Sequence, residues 1–210
     1  MKLPKDLNIS IGMNLSYFGD YMQNEIKNMI QESLEVKNLL VKDELVNKIE
    51  KAANTIIDAF RKGNKVILAG NGGSASQASH FAAEFVGRYK KERKGLPSIA
   101  LTADSSLITA WSNDYTFDTV FERQLQAFAK PGDVFVAIST SGNSENVLRA
   151  VKEAKRLGMH VINLLGKGGG KMKNIGDVEI IVPSNNTPII QENHLMIFHI
   201  ICEIIDEKLQ

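Results

Sequence analysis

Hydrophobic positions recur along the chain at two periods, and the change of period divides it. From about residue 16 to residue 60 the spacing is helical: Ile26, Met29 and Ile30, then Leu45, Val46, Ile49, Ala53, Ile56, Ile57 and Phe60. The charged stretch at 42–44 marks a break between two helices, and Gly63 with Asn64 stops the second. Beyond it, five apolar runs of strand length alternate with helical patterns. The runs are KVILA (65–69), PSIALT (97–102), VFVAIS (134–139), HVINLL (160–165) and EIIVP (179–183). Helices are predicted over 74–89, 107–111, 117–128, 145–157 and 187–209. Apolar runs without alternation predict strands buried on both faces. The fold class is therefore α/β, a five-stranded, mostly parallel sheet flanked by helices. One domain is expected over 1–210, with a helical segment at 1–62 and an αβα core at 63–210. No repeat of fixed period and no low-complexity tract interrupts it.

Two of the predicted strands run into loops of small residues and then into helices. In an open α/β sheet this is where ligands bind. The first loop, AGNGGSASQ (69–77), is glycine-rich but matches neither GxGxxG nor the phosphate loop that ends in Gly-Lys-Ser/Thr, which weakens nucleotide binding. The second, STSGNSE (139–145), places Ser139, Thr140, Ser141 and Ser144 around Gly142 and Asn143. Hydroxyls and backbone N–H groups at a helix start donate hydrogen bonds to phosphate oxygens without any lysine. The plainer alternative is a helix cap, but a cap needs one hydroxyl and this loop holds four.

Composition narrows the partners. The 210 residues are 43% hydrophobic and 23% charged, ordinary for a globular protein, and the net charge is +1. That balance offers no electrostatic footprint for nucleic acid or for an anionic membrane surface. The single cysteine, Cys202, permits no intrachain disulfide and reads as a buried thiol. The apolar stretch LMIFHIICEII (195–205) is too short to span a bilayer, and the opening MKLPKDLNIS lacks the apolar core of a signal peptide. A cytoplasmic protein is expected.

Acid–base chemistry has two candidate helices. His80 and Glu84 lie four apart on one face of the helix after the first loop, among Phe81, Ala82, Ala83, Phe85 and Val86. Arg88 lies four further on, where a simple ion pair with Glu84 is the plain reading. The terminal helix carries Gln191, His194 and His199, whereas His160 opens a strand and reads as structural. Together His80, Glu84, Gln191 and a second histidine suit either an acid–base set or a mixed N/O metal site. On a straight helix Gln191 and His199 are about 12 Å apart along the axis, so spacing by itself favours His194.

The segments GNGGSASQASHFAAEFVGRYKKER, ALTADSSLITAWSNDYTF, DVFVAISTSGNSENVL, GKGGGKM and IIQENHLMIFH resemble the phosphoheptose isomerases, single-domain members of the sugar isomerase (SIS) superfamily. The resemblance covers about residues 60–206. It implies an aldose–ketose isomerase that converts D-sedoheptulose 7-phosphate to D-glycero-D-manno-heptose 7-phosphate through an enediol. The product feeds nucleotide-activated heptoses for lipopolysaccharide or capsule. It also implies a homotetramer with sites at subunit interfaces. Carried over residue by residue, Ser139, Thr140, Ser141 and Ser144 hold the phosphate. Asn71, Gly72 and Ser74 lie near the sugar, and Arg88, Asp104 and Gln191 make substrate contacts. Glu84 is the catalytic base and His199 the opposing acid. His80, Glu84, Gln191 and His199 match the zinc ligands of some members.

Two departures touch the substrate more than the reaction. TPIIQENH puts Pro188 and Ile189 where the family usually reads TxRIQExH, and SNDYTF (112–117) replaces the usual GNDxGF. Rival readings within the superfamily are a protein that binds a partner such as the replication initiator DnaA, a sugar-phosphate sensor, and an isomerase of another phosphosugar. Retention of both Glu84 and His199 favours the enzyme.

Overall fold

The structure is a computed structural model and describes residues 15–209. The reading of the first ten residues as lacking a leader lies outside the described residues. Two helices open the described chain. α1 (Leu15–Leu40) gives way at Val41 and Lys42 to α2 (Asp43–Arg61), whose first turn carries Asp43 and Glu44, favourable charges at a helix N-terminus. α2 buries Ile49, Ala52, Ala53, Ile56, Ile57 and Ala59, the stripe its periodicity predicts. α1 differs: among its described side chains only Val36 and Leu40 are buried, while Tyr21, Met22, Ile26, Met29, Ile30 and Leu34 face outward.

The α/β part follows in the order β1 (Val66–Gly70), α3 (Gly73–Val86), β2 (Ser98–Ala100), α4 (Ser105–Asp114), α5 (Val120–Phe128), β3 (Val134–Ser139), α6 (Glu145–Arg156), β4 (His160–Leu165), β5 (Val178–Ile181) and α7 (Thr187–Lys208). Every strand pairing is parallel, in the order β2-β1-β3-β4-β5. Successive side chains of a strand point to opposite faces. Accordingly Leu68, Val136, Ile138, Ile162 and Leu164 join α2, α3 and α7 in one core cluster, while Ile67, Ala69, Phe135, Ala137 and Val161 join α5 and α6 in another. Burial on both faces is what makes β1 and β3 continuous apolar runs.

The connection leaving β1 runs to one side of the sheet and the connection leaving β2 returns to the other. β1 and β3 therefore flank the topological switch point, with Gly70 opposite Ile138. Both small-residue loops open at that crevice.

Three local features have physical reasons, and the first two differ from the sequence reading. The helix expected over 117–128 begins as a 3-10 turn, Phe117–Thr119, capped by the Thr116 hydroxyl accepting from Asp118 N, before α5 proper. α4 extends to both sides of its predicted core; at its start the Asp104 carboxylate caps it, accepting from Leu107 N at 3.0 Å. Pro188 falls in the first turn of α7, where a missing N–H leaves no hydrogen bond unmade, and Ile189 is buried in the core.

α3 and α7 run side by side in the same direction. Gly73 lies against the Gln191 side chain at one end of the seam. Further along, the rings of Phe81 and Phe198 stack at 3.6 Å, with Phe85 at 5.3 Å from Phe198. Among the described residues, no helix is long and apolar enough to cross a membrane.

Candidate active site

The loop after β3 is shaped to leave donors free. The Ser139 and Ser144 hydroxyls meet at 3.2 Å, and Ser139 Oγ accepts from Gly142 N at 3.1 Å. Ser144 is the N-cap of α6, yet its side chain makes no capping hydrogen bond. A helix-capping role therefore does not account for that hydroxyl. The first turn of α6 leaves backbone N–H groups without helical partners, and Glu145 follows only after the uncharged loop. Ser141, Thr140 and Ser144 are half-buried and Ser139 is buried, so the cradle is open on one side.

A second loop braces this one from behind. The turn Lys167–Met172 runs through Gly168, Gly169 and Gly170, all at positive φ. It is tied down by Met172 N donating to Gly142 O at 3.0 Å and by Lys171 N donating to Asn143 Oδ1 at 3.0 Å. Gly142, at φ +63°, sits so close that a Cβ there would lie 1.9 Å from Gly169 O. Gly142→Ala is therefore expected to push the brace off the loop. Phosphate or phosphosugar binding, followed by calorimetry, should weaken more than tenfold, and wild-type affinity would contradict this account of the loop.

The loop after β1 turns into α3 at Gly72, whose φ of +55° requires glycine and whose Cα faces open space. Ser74 is buried, its N–H donating to Asn71 O at 3.0 Å. Asn71 exchanges two hydrogen bonds of 2.9 Å with the amide of Asn146, a buried residue in the first turn of α6. That pair stitches the two loops together across the switch point. Asn146 escapes the sequence reading because it looks like any polar residue of a helix start.

The acid–base candidates meet on the α3–α7 seam. His80 Nε2 is 3.3 Å from Glu84 Oε1 and 3.2 Å from His199 Nε2. One ligand atom from each of the three residues lies within 4.8 Å of the others. Zinc held tetrahedrally at bonds of about 2.0–2.1 Å needs donor atoms about 3.3 Å apart, and the His80–Glu84 and His80–His199 separations match that spacing. Without a metal, one imidazole nitrogen donates and the other accepts.

His194 does not take part. It is fully buried, its Nε2 stands 3.0 Å from Leu165 O, and burial holds its pKa down to about 4 against the pull of that carbonyl. It is a neutral core histidine, so His199 is the residue that faces His80. Gln191 sits at the other end of the seam: its side chain is against Gly73 and its carbonyl accepts from Gln77 Nε2 at 2.7 Å. About 12 Å of helix rise separates it from His199, so within one chain it belongs to the first loop rather than to the cluster.

Arg88 and Asp104, two of the expected substrate contacts, have local partners within the chain. Arg88 pairs with Glu92 at 2.8 Å, not with Glu84, and is exposed. Asp104 is exposed and caps α4.

The sequence reading missed what holds the cluster in place. Arg93 and Asp206 form a buried pair at 2.7 Å, their side chains 3% and 2% exposed. Arg93 also donates to the carbonyls of Glu84 and Phe85, at 2.8 and 2.9 Å, and so grips the end of α3. Asp206 accepts from the N–H groups of Lys90 and Lys91 at 2.7 and 3.0 Å. Burial raises the Asp206 pKa, but the hydrogen bonds from Lys91, Arg93 and Lys90 outweigh it and the net value lies below the ordinary one.

The chain as a whole is similar to known proteins. The SIS domain family matches residues 31–166. The phosphoheptose isomerase of Clostridium acetobutylicum is 48% identical over 189 residues, covering 90% of this chain and 96% of that protein. That of Aliarcobacter butzleri is 50% identical over 182 residues, covering 83% and 96%. The structure of phosphoheptose isomerase GmhA from Neisseria gonorrhoeae superposes with a TM-score of 0.82 at 42% identity, covering 89% of this chain and 99% of that one. The phosphoheptose isomerase structure from Francisella tularensis gives 0.85 at 39%, covering 89% and 98%. With the fold, the hydroxyl loop and the histidine–glutamate cluster all in place, the chain belongs to the SIS domain family, in its phosphoheptose isomerase branch.

Proposed function

We propose that this protein interconverts D-sedoheptulose 7-phosphate and D-glycero-D-manno-heptose 7-phosphate through an enediol. The observation that carries the reading is the meeting of Glu84 and His199 with His80 beside a sheet whose switch point holds an uncharged hydroxyl loop. The phosphate is held by Ser139, Thr140, Ser141, Ser144 and the N-terminus of α6. The Asn71–Asn146 pair fixes the first loop, with Gly72 and Ser74, against that cradle.

Aldose–ketose isomerisation needs one proton moved between neighbouring carbons and another between their oxygens. Glu84 offers Oε1 to His80 and leaves Oε2 to carry the proton between C1 and C2. His199 exchanges the proton of the carbonyl and hydroxyl oxygens. Zinc, held by His80, Glu84 and His199, supplies a Lewis acid for the carbonyl oxygen when bound. A fourth ligand from Gln191 requires a second copy of the chain, given its place beside Gly73. The uncovered apolar face of α1 supplies material for such an assembly, a homotetramer with sites between subunits. The enzyme would work in the cytoplasm, supplying nucleotide-activated heptoses for lipopolysaccharide or capsule.

Incubation with sedoheptulose 7-phosphate in D2O tests the reading. Deuterium is expected at C2 of the heptose product, and a chelator is expected to suppress its incorporation. A folded protein that binds the phosphosugar yet exchanges no proton would leave a binding role, or another substrate, as the better account.

A further inference from the structure

The imidazole of His199 has two aromatic neighbours. The ring of Tyr89 lies over it with centroids 5.5 Å apart and planes 25° from parallel, while His80 approaches at 5.5 Å and 73°. Tyr89 belongs to no helix or strand. It sits in the irregular strap after α3, half-buried, and burial raises the pKa of its phenol. What fixes it is the residue that follows and those just beyond. Lys90 N and Lys91 N are held by Asp206 Oδ2, Lys90 Nζ pairs with Glu203 at 2.7 Å, and Arg93 is locked to Asp206 and to the end of α3. The anchor points, Glu203 and Asp206, lie one and two turns beyond His199 on α7 itself. The strap is thus bound to the very helix whose histidine it covers.

We infer that Tyr89 is a positioning residue: its ring, fixed by the Asp206–Arg93 anchor, holds the His199 imidazole in the orientation that faces His80 and Glu84. A half-exposed histidine on a helix otherwise samples several staggered rotamers. A stacked aromatic face restricts that choice, as outer partners do for metal-ligating histidines. The phenol hydroxyl is not needed for this, only the ring.

Tyr89→Phe and Tyr89→Leu separate the possibilities. In metal-free protein, NMR of the His199 ring protons reads the stack directly. The ring-current shift is expected to survive in the Phe variant and to disappear in the Leu variant. Zinc affinity, measured by competition with a chromogenic chelator, is expected to fall about 10- to 100-fold in Tyr89→Leu and to stay unchanged in Tyr89→Phe. kcat should fall with it while KM holds, because the phosphate loop is untouched. Tyr89→Met removes the aromatic face but keeps bulk, and it gives the same result if the Leu variant folds poorly.

A His199 ring whose shifts stay as in wild type, with wild-type zinc affinity, in a folded Leu variant overturns the inference, as does a Phe variant that fails like Leu. The metal and turnover arms rest on the proposed function, whereas the NMR arm does not. If wild type neither binds zinc nor isomerises, the function fails, and the ring-current result still decides the role of Tyr89.

Discussion

Glu84→Gln is expected to lower isomerase turnover by about three orders of magnitude, within the range a general base contributes. The substitution is nearly isosteric. The Glu84 side chain is 19% exposed and its recorded polar partner is His80, which a glutamine amide can still meet. Neither the Phe81–Phe198 stack nor the grip of Arg93 on the Glu84 carbonyl depends on the carboxylate. Folding should therefore survive while the proton carrier is lost, and weaker metal binding adds to the deficit. The check is kcat for heptose product beside an unchanged melting temperature. Activity within tenfold of wild type would remove Glu84 from the chemistry and with it the enediol scheme.

The second large effect is on stability. Arg93→Met leaves Asp206 buried with an uncompensated charge, which costs about 3–5 kcal/mol in comparable buried pairs. The Glu84 and Phe85 carbonyls lose a donor as well. Urea unfolding should show the midpoint falling at a constant slope. A loss below about 1 kcal/mol would mean the pair is worth no more than an exposed one. The variant is also expected to lose activity well below its melting temperature, because the anchor of the Tyr89 strap goes with Arg93.

The same pair gives stability a direction in pH. The folded pKa of Asp206 lies below its ordinary value, so its contribution is complete above the ordinary carboxylate range and is lost as pH falls through the folded value. His194 adds to this from higher pH: its folded pKa of about 4 lies below its ordinary 6.5. The stability tied to its neutral form is whole above about 6.5 and drains away as pH drops toward 4.

β1, β3 and β4 were legible because burial on both faces leaves a continuous apolar run, whereas β2, with no buried residue, is shorter than its predicted run. VFVAIS and HVINLL occupy β3 and β4 with the boundaries read from sequence. α4 was read short because its ends, around Ser105 and Asp114, are polar and solvent-facing, with no apolar period to mark them. Of the site, the local part was legible: a hydroxyl loop, and His80 and Glu84 one turn apart.

The rest depends on tertiary contacts. His194 and His199 are five residues apart, about 140° around the helix, so only one can face α3. Choosing between them requires knowing that β4 presents the Leu165 carbonyl to the other side. Arg93 and Asp206 lie 113 residues apart, and nothing in their neighbours announces that they pair. Tyr89 needs that pair to acquire any meaning. Gln191 is matched by motif, and nothing in its neighbours announces that its amide packs against Gly73 within the chain.

The parallel seam of α3 and α7 also governs how this protein can change in length over evolution. Catalytic and core residues alternate along it, His80 beside Phe81, Glu84 beside Phe85, Phe198 beside His199. One residue inserted between Gly73 and Glu84, or between Gln191 and His199, turns everything beyond it by about 100°. His80 would then take the core position of Phe81, and His199 the exposed position of Ile200, so the cluster would come apart. Insertions and deletions are therefore closed to these two stretches, and the lineage must vary its length in the loops instead.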